Sequence, residues 1–193
     1  MINPKDFLTE LSKKTSLITG VPDSALKGLS DYLDFQDIIE HVKVPNEGIS
    51  LSYASGYYIG KRTPALVYLQ NSGFGNLINP LTSLLDQLVY SIPCVILIGW
   101  RAFKGNKDEP QHKKMGLITE ELVKTMGYNY FELNNSCDWK KILDDSFSIA
   151  NSSKSPVFLL AQPKLFEEYD TDSNIVKDFV SREIVLNKLY SIM

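Results

Sequence analysis

The sequence predicts an α/β fold: a six-stranded, mostly parallel sheet with helices on both of its faces. Three observations carry this. Six short β-prone segments alternate with segments whose apolar residues recur at the helical period. Four of the six read as continuous apolar runs, as strands covered on both faces do. Glycine, proline or small polar residues punctuate the changes between the two kinds of segment. The 193 residues, 44% of them hydrophobic, suit one well-buried core.

Taken in order, Asn3-Pro4-Lys5 is a cap followed by a proline, and Phe7, Leu8 and Leu11 lie on one face of the helix it opens. Residues 16–19 form the first strand. In the loop at 20–24, Asp23 or Ser24 can cap a helix carrying Leu26, Leu29 and Leu33. Residues 38–44 form the second strand, stopped by Pro45, and a helix over 48–60 follows Glu47. Its small residues (Ser50, Ser52, Ala54, Ser55, Gly56) predict burial against neighbouring backbone. After the third strand (65–69) and a loop at 70–76, a helix is expected through Leu77, Leu81, Leu84, Leu85 and Leu88.

Residues 93–99 are the fourth strand, and a long polar loop is expected over 100–114. The helix around Ile118, Leu122, Val123 and Met126 stops at Gly127, before a strand at 129–133. Ser136 is the expected cap of the next helix, with Trp139, Ile142, Leu143, Phe147 and Ala150 on its inner face. Residues 156–160 are the sixth strand, 164–173 read as polar turns, and a further helix opens at Ser181. Parallel sheets bind ligands at the carboxyl ends of their strands, so segments 20–24, 45–48, 71–76 and 100–112 should share one edge.

Composition narrows the function classes. A formal charge of −3 gives no reason to invoke nucleic acid or an anionic membrane surface. Two cysteines, Cys94 in an apolar run and Cys137 near a helix start, make no disulfide framework, which fits a reducing cytoplasmic setting. No apolar run approaches the roughly 18 residues of a membrane span, so a soluble protein is expected. Gly73-Phe74-Gly75 lacks the third glycine of a dinucleotide fingerprint, where Ile78 stands. The stretch 56–62 has neither the spacing nor the Ser/Thr of a P-loop. Two histidines and two scattered cysteines offer no zinc set. By itself Glu47 is an ordinary first-turn carboxylate that complements the helix dipole. His112 falls in the polar loop near Arg101, Lys104 and Lys107, while His41 reads as a paired or surface residue.

The segments GVPDS (20–24), NEG (46–48), PALVYLQNSGFGN (64–76), NPL (79–81), YSIP (90–93), IGWR (98–101) and KDEPQH (107–112) resemble, in this order, the N-terminal half of phosphonopyruvate decarboxylase, a thiamine-diphosphate enzyme. QNSGFGN, and GWR followed by KDEPQH, are the specific parts. Sulfopyruvate decarboxylase is similar around GVP, EG and QNSG, but the KDEPQH loop favours the phosphonate enzyme; Ala102 and Lys104 depart from the pattern.

The resemblance implies a pyrimidine-binding (Pyr) domain over residues 1–178, with 179–193 a helical tail or the start of an absent diphosphate-binding domain. It implies Glu47, Gln111 and His112 as catalytic residues, Glu47 hydrogen-bonding nitrogen N1′ of the aminopyrimidine ring and sharing its proton. Glu47, Asn71, Ser72 and Gly73 would bind the cofactor; Asp23, Ser24, Arg101, Gln111 and His112 would meet a small 2-oxo acid. In this family the diphosphate and its Mg²⁺ are held by a second domain with a GDG motif. No GDG occurs here, so no metal ligand is assigned to this chain, and a partner domain or subunit in a homo- or hetero-oligomer is expected. The expected reaction is conversion of 3-phosphonopyruvate to phosphonoacetaldehyde and CO₂. The alternatives are a sulfopyruvate decarboxylase α subunit and a non-catalytic binding domain that keeps the fold.

Overall fold

Every neighbouring pair of strands runs parallel, in the order β2-β1-β3-β4-β6-β5: β1 (Leu17–Gly20), β2 (Glu40–Lys43), β3 (Leu66–Gln70), β4 (Val95–Gly99), β5 (Asn129–Leu133) and β6 (Val157–Ala161). The computed structural model describes residues 1–169 together with 187, 188, 190 and 191. The four inner strands are the buried ones, while β2 and β5 at the edges are half exposed. Continuous apolar runs therefore mark the middle of the sheet, where both faces are covered.

One face packs on α1 (Pro4–Ser12), α2 (Lys27–Leu33) and α6 (Trp139–Ser153), through Phe7, Leu8, Leu11, Leu29, Leu143 and Phe147. The other carries α3 (Glu47–Lys61), the 3₁₀ segment Asn71–Leu77, the short α4 (Ile78–Pro80) and α5 (Pro110–Thr125). Their core includes Leu51, Phe74, Leu77, Val123 and Phe158. The chain leaves β1 toward the α2 face and, after β2, returns through α3 on the opposite face to β3. The connections thus diverge between β1 and β3, the kind of switch point at whose carboxyl edge parallel sheets bind ligands.

Several elements depart from their sequence expectations for identifiable reasons. The second strand starts at Glu40, because Gln36 Oε1 accepts the Ile38 and Ile39 N–H groups at 2.7 and 2.9 Å while its Nε2 donates to Ile39 O. That side chain supplies locally the bonds a ladder would have given. The helix expected through Leu88 instead runs as 3₁₀, then α4, then a single π turn (Leu81–Leu85), and turns away at Asp86. Pro80 brings no N–H to a continuous ladder, and Leu88 is left 96% exposed.

The loop expected over 100–114 ends early, since Pro110 occupies the first position of α5 and puts Gln111 and His112 in its first turn. The burial expected of α3 holds for one side (Ser50, Leu51, Ala54, Ser55, Tyr58), while Ser52, Tyr53 and Gly56 are exposed. The turn after β6 buries Leu165 and Phe166, which join Ile2 through the bonds Ile2 N to Leu165 O and Glu167 N to Ile2 O. The boundary near residue 178 and the helix opening at Ser181 lie outside the described residues.

The cap of α6 is Asp138, whose Oδ1 accepts from Lys141 N at 3.1 Å; Ser136 instead donates its own N–H to Asn134 Oδ1. Asp138→Ala is expected to lower unfolding free energy by about 1 kcal/mol, and Ser136→Ala to change it by less than about 0.5 kcal/mol. Urea denaturation followed by circular dichroism checks both.

Candidate active site at the carboxyl edge of the sheet

Three groups of side chains meet at this edge. The first is built on Glu47, which opens α3 immediately after Asn46 caps it by accepting from Gly48 N at 2.8 Å. Asn76 Nδ2 donates to Glu47 Oε2 at 2.7 Å. Among the described residues, Oε1 accepts no hydrogen bond. It lies against Gly73, where a Cβ would sit 2.1 Å away, so no larger residue fits beside this carboxylate. Gly73 therefore makes room for the half-buried Glu47, and Asn76 fixes its rotation.

The second group stands at the end of β3. Gln70 Nε2 donates to Ser72 Oγ at 2.6 Å and lies 3.4 Å from His112 Nδ1. His112 comes from the first turn of α5, so the 3₁₀ segment Asn71–Leu77 has the imidazole at one end and the Glu47 carboxylate at the other. Gln111, next to His112, is exposed and its side chain forms no hydrogen bond among the described residues.

The third group surrounds Arg101. Its Nε and Nη2 donate to the two carboxylate oxygens of Asp108, and Nη1 donates to Ser24 Oγ at 2.8 Å. Asp108 also accepts the Ala102 and Glu109 N–H groups, and with the guanidinium beside it the carboxyl is held far below the usual carboxylate range. Asp23 lies at the same end of the sheet and is only 4% exposed. Its Oδ1 accepts from Ala25 N at 2.8 Å, whereas Oδ2 is the one buried side-chain polar atom without a partner among the described residues. A Cβ on Gly99 would fall 1.8 Å from that oxygen, so β4 ends in glycine where the carboxyl is seated. Burial pushes the Asp23 carboxyl up to about 7, against the opposing pull of its backbone bonds and of Arg101.

Asn71 joins the second and third groups. It is fully buried; Nδ2 donates to Arg101 O and to Thr119 Oγ1, both at 3.1 Å, and Oδ1 accepts from Arg101 N at 3.1 Å. Both amide hydrogens are committed inside the protein, so the side chain expected to touch a cofactor instead ties the ends of β3 and β4 to α5. Ser72, Gly73, Asp23, Ser24 and Arg101 all lie at the expected edge. Sequence reasoning missed Gln70, Asn76, Gly99 and Asp108. Gln70 was accessible through the strand-end rule alone; Asn76 and Gly99 matter through Glu47 and Asp23, which are distant in sequence, and Asp108 through the fold of its own loop onto Arg101. His41 is paired, its Nε2 lying 2.8 Å from Tyr68 Oη, and Cys94 is buried in the core.

Residues 6–121 match the family model described as "Thiamine pyrophosphate enzyme, N-terminal TPP binding domain". The chain belongs to this family. It is 32% identical over 160 residues to the sulfopyruvate decarboxylase subunit alpha of Methanococcus maripaludis, covering 83% of this chain and 93% of that one. It is 37% identical over 124 residues to the phosphonopyruvate decarboxylase of Streptomyces viridochromogenes, but this match covers 64% of the chain and only 30% of that relative. Among solved structures, the thiamine diphosphate-dependent 4-hydroxybenzoylformate decarboxylase of Rhodococcus jostii RHA1 superposes with a TM-score of 0.63 at 21% identity, over 99% of this chain and 37% of that one. That likeness establishes the shared α/β fold. Within this TPP binding domain, the described residues hold no group of three or more His, Cys, Asp or Glu able to take a metal ion, and no helix long and apolar enough to cross a membrane.

The Asp23 carboxyl predicts a pH effect on stability. Its folded value of about 7 lies above the ordinary 3.8, so the native state binds the proton more tightly than the unfolded chain. Stability from this group is full below about 4 and is lost as pH rises through 7, a change on the order of 4 kcal/mol. Asp23→Asn, which keeps the bond from Ala25 N, should gain thermal stability relative to the parent as pH is raised from 5 to 7.5. Melting curves across that range check it.

Proposed function

We propose that this chain is the pyrimidine-binding half of a thiamine-diphosphate-dependent 2-oxo acid decarboxylase, converting 3-phosphonopyruvate to phosphonoacetaldehyde and CO₂ with a diphosphate-binding half that carries a GDG motif and the Mg²⁺ site. One observation carries the reading: the Glu47 carboxylate is clamped by Asn76 through one oxygen and keeps the other free, over a glycine, at the ligand edge of the sheet. A free, oriented carboxyl oxygen suits the N1′ end of an aminopyrimidine ring, which needs a partner that can hold or give a proton. The residues present therefore fit that end of the cofactor.

Bound thiamine diphosphate supplies the electron sink for the pair released when the carboxylate leaves as CO₂. The protein's part is to bind, orient and move protons. Glu47 Oε1 would share a proton with the ring nitrogen, while Gly73 leaves room for the carboxyl group and Asn76 keeps it from turning away. His112, steadied beside Gln70 and Ser72, stands on the same edge and would serve as a proton carrier to the substrate. Asp23, with a value near 7, can hold a second proton there at neutral pH. The phosphonate enzyme is preferred on the KDEPQH segment at 107–112, whose Asp108 and His112 both take part in the edge.

A second reading, the α subunit of a sulfopyruvate decarboxylase, draws support from the longer match: 160 residues of this chain align with the methanococcal subunit, against 124 with the streptomycete enzyme. Comparing turnover of 3-phosphonopyruvate and 3-sulfopyruvate by the reconstituted pair separates the two.

Glu47→Gln in the reconstituted enzyme should lower kcat by about 100-fold or more, the scale of a lost proton-transfer partner. Activity within a few-fold of the parent would sink the assignment. Gly73→Ala, which places a methyl on the carboxylate, should weaken thiamine diphosphate binding in calorimetry with Mg²⁺ present, while Ser72→Ala should change it less.

A further inference from the structure

Arg101 is the cation the sequence singles out for substrate, but its charge is already spent. Three of its N–H groups are donated, two to Asp108 and one to Ser24, and Asp108 remains an anion at any working pH. The Asp108 carboxylate beside the guanidinium offsets part of its attraction for an incoming oxyanion.

Beside this pair, a cleft of about 830 Å³ lies between the start of α2, the connection from β4 to α5 and the turn after β6. Its four cationic side chains are Lys27, Arg101, Lys107 and Lys164, its two carboxylates are Asp108 and Glu168, and Met1 also lines it. Lys27 bonds Asp31 within α2 and faces the charge of Glu168. Lys107 and Lys164 make no ion pair or hydrogen bond among the described residues. They therefore leave the cleft with two uncompensated positive charges in a chain of net charge −3. Phe103 and Phe166 also line it, and such apolar walls strengthen the attraction of an anion over its value in open water.

We propose that Lys107 and Lys164 form the subsite for the tetrahedral oxyanion at C3 of the substrate, and that Arg101 with Asp108 is the scaffold that holds the loop bearing Lys107. The inference rests on the decarboxylase reading. Ammonium groups on flexible stems suit this role, since each brings a full positive charge and three rotatable donors, and lysine binds phosphate-type groups as a point charge. The neutralised Arg101 serves the loop instead. Through Asp108 it fixes the Ala102 N–H, and its own backbone is held by Asn71.

The test has two arms. The chain alone is titrated with phosphonoacetate and followed by ³¹P NMR, and the reconstituted enzyme is assayed on 3-phosphonopyruvate and on pyruvate, which lacks the C3 anion. Saturable binding that weakens about tenfold or more in Lys107→Ala/Lys164→Ala is expected, the scale of one or two charge-assisted hydrogen bonds. The same double variant should raise KM for 3-phosphonopyruvate about tenfold, with kcat and the KM for pyruvate unchanged within about twofold. Equal binding by parent and double variant, no saturable binding by the parent, or parallel loss on both substrates would overturn the subsite. Absence of any decarboxylation by the unaltered pair would end the decarboxylase reading instead, and the titration would still decide the anion site. Both lysines are exposed, and melting temperatures verify that the variants fold.

Discussion

The buried amide of Asn71 is the contact on which the ligand edge depends. A parallel sheet delivers its strands to one edge but leaves their exits unpaired, and each buried N–H or C=O without a partner costs about 1–3 kcal/mol. Asn71 satisfies both the N–H and the C=O of Arg101 at the exit of β4 and adds a bond to Thr119 in α5. Thr119 in turn donates to Met115 O within its own helix. One side chain at the end of β3 thereby fixes the next strand's exit and the helix that brings His112.

From that joint the rest of the edge follows. With the backbone at Arg101 held, its guanidinium can reach both Asp108 and Ser24, which closes the loop after β4 onto the loop after β1. With Asn71 drawn inward, the chain winds as a 3₁₀ segment that presents Gly73 to Glu47 on one side, while Ser72 meets Gln70 near His112. Two glycines mark where carboxylates needed space, Gly73 under Glu47 and Gly99 under Asp23. A carboxylate with one oxygen fixed and the other free, and a second carboxyl kept partly protonated by burial, are two different uses of the same functional group. Their surroundings alone distinguish them.

Six alternating strands and helices were legible because burial on both faces writes itself as unbroken apolar runs, and helical faces write themselves at their own period. The edge hosting the site followed from the parallel arrangement, and Glu47, His112, Asp23, Ser24 and Arg101 were placed on it from the sequence. Local chemistry was less legible where two signals compete. Ser136 and Asp138 are both good caps, and only the path of the chain decides that Asp138 reaches Lys141 N. The leucines through Leu88 keep a helical spacing, yet Pro80 and the turn at Asp86 break the ladder they imply.

The sequence by itself determined the fold class, the order of its elements, the ligand edge and the family resemblance, since these reside in periodicity, punctuation and short contiguous motifs. Tertiary structure alone decided what each polar group at that edge is free to do. Asn71, named for a cofactor, spends its amide on the exits of two strands, and Arg101, named for an anion, spends its charge on Asp108. Glu47 keeps one oxygen free because Asn76, 29 residues away, holds the other. The reason is physical: a side chain's availability is set by the partners within hydrogen-bonding distance of it, and those partners come from segments that only folding brings together.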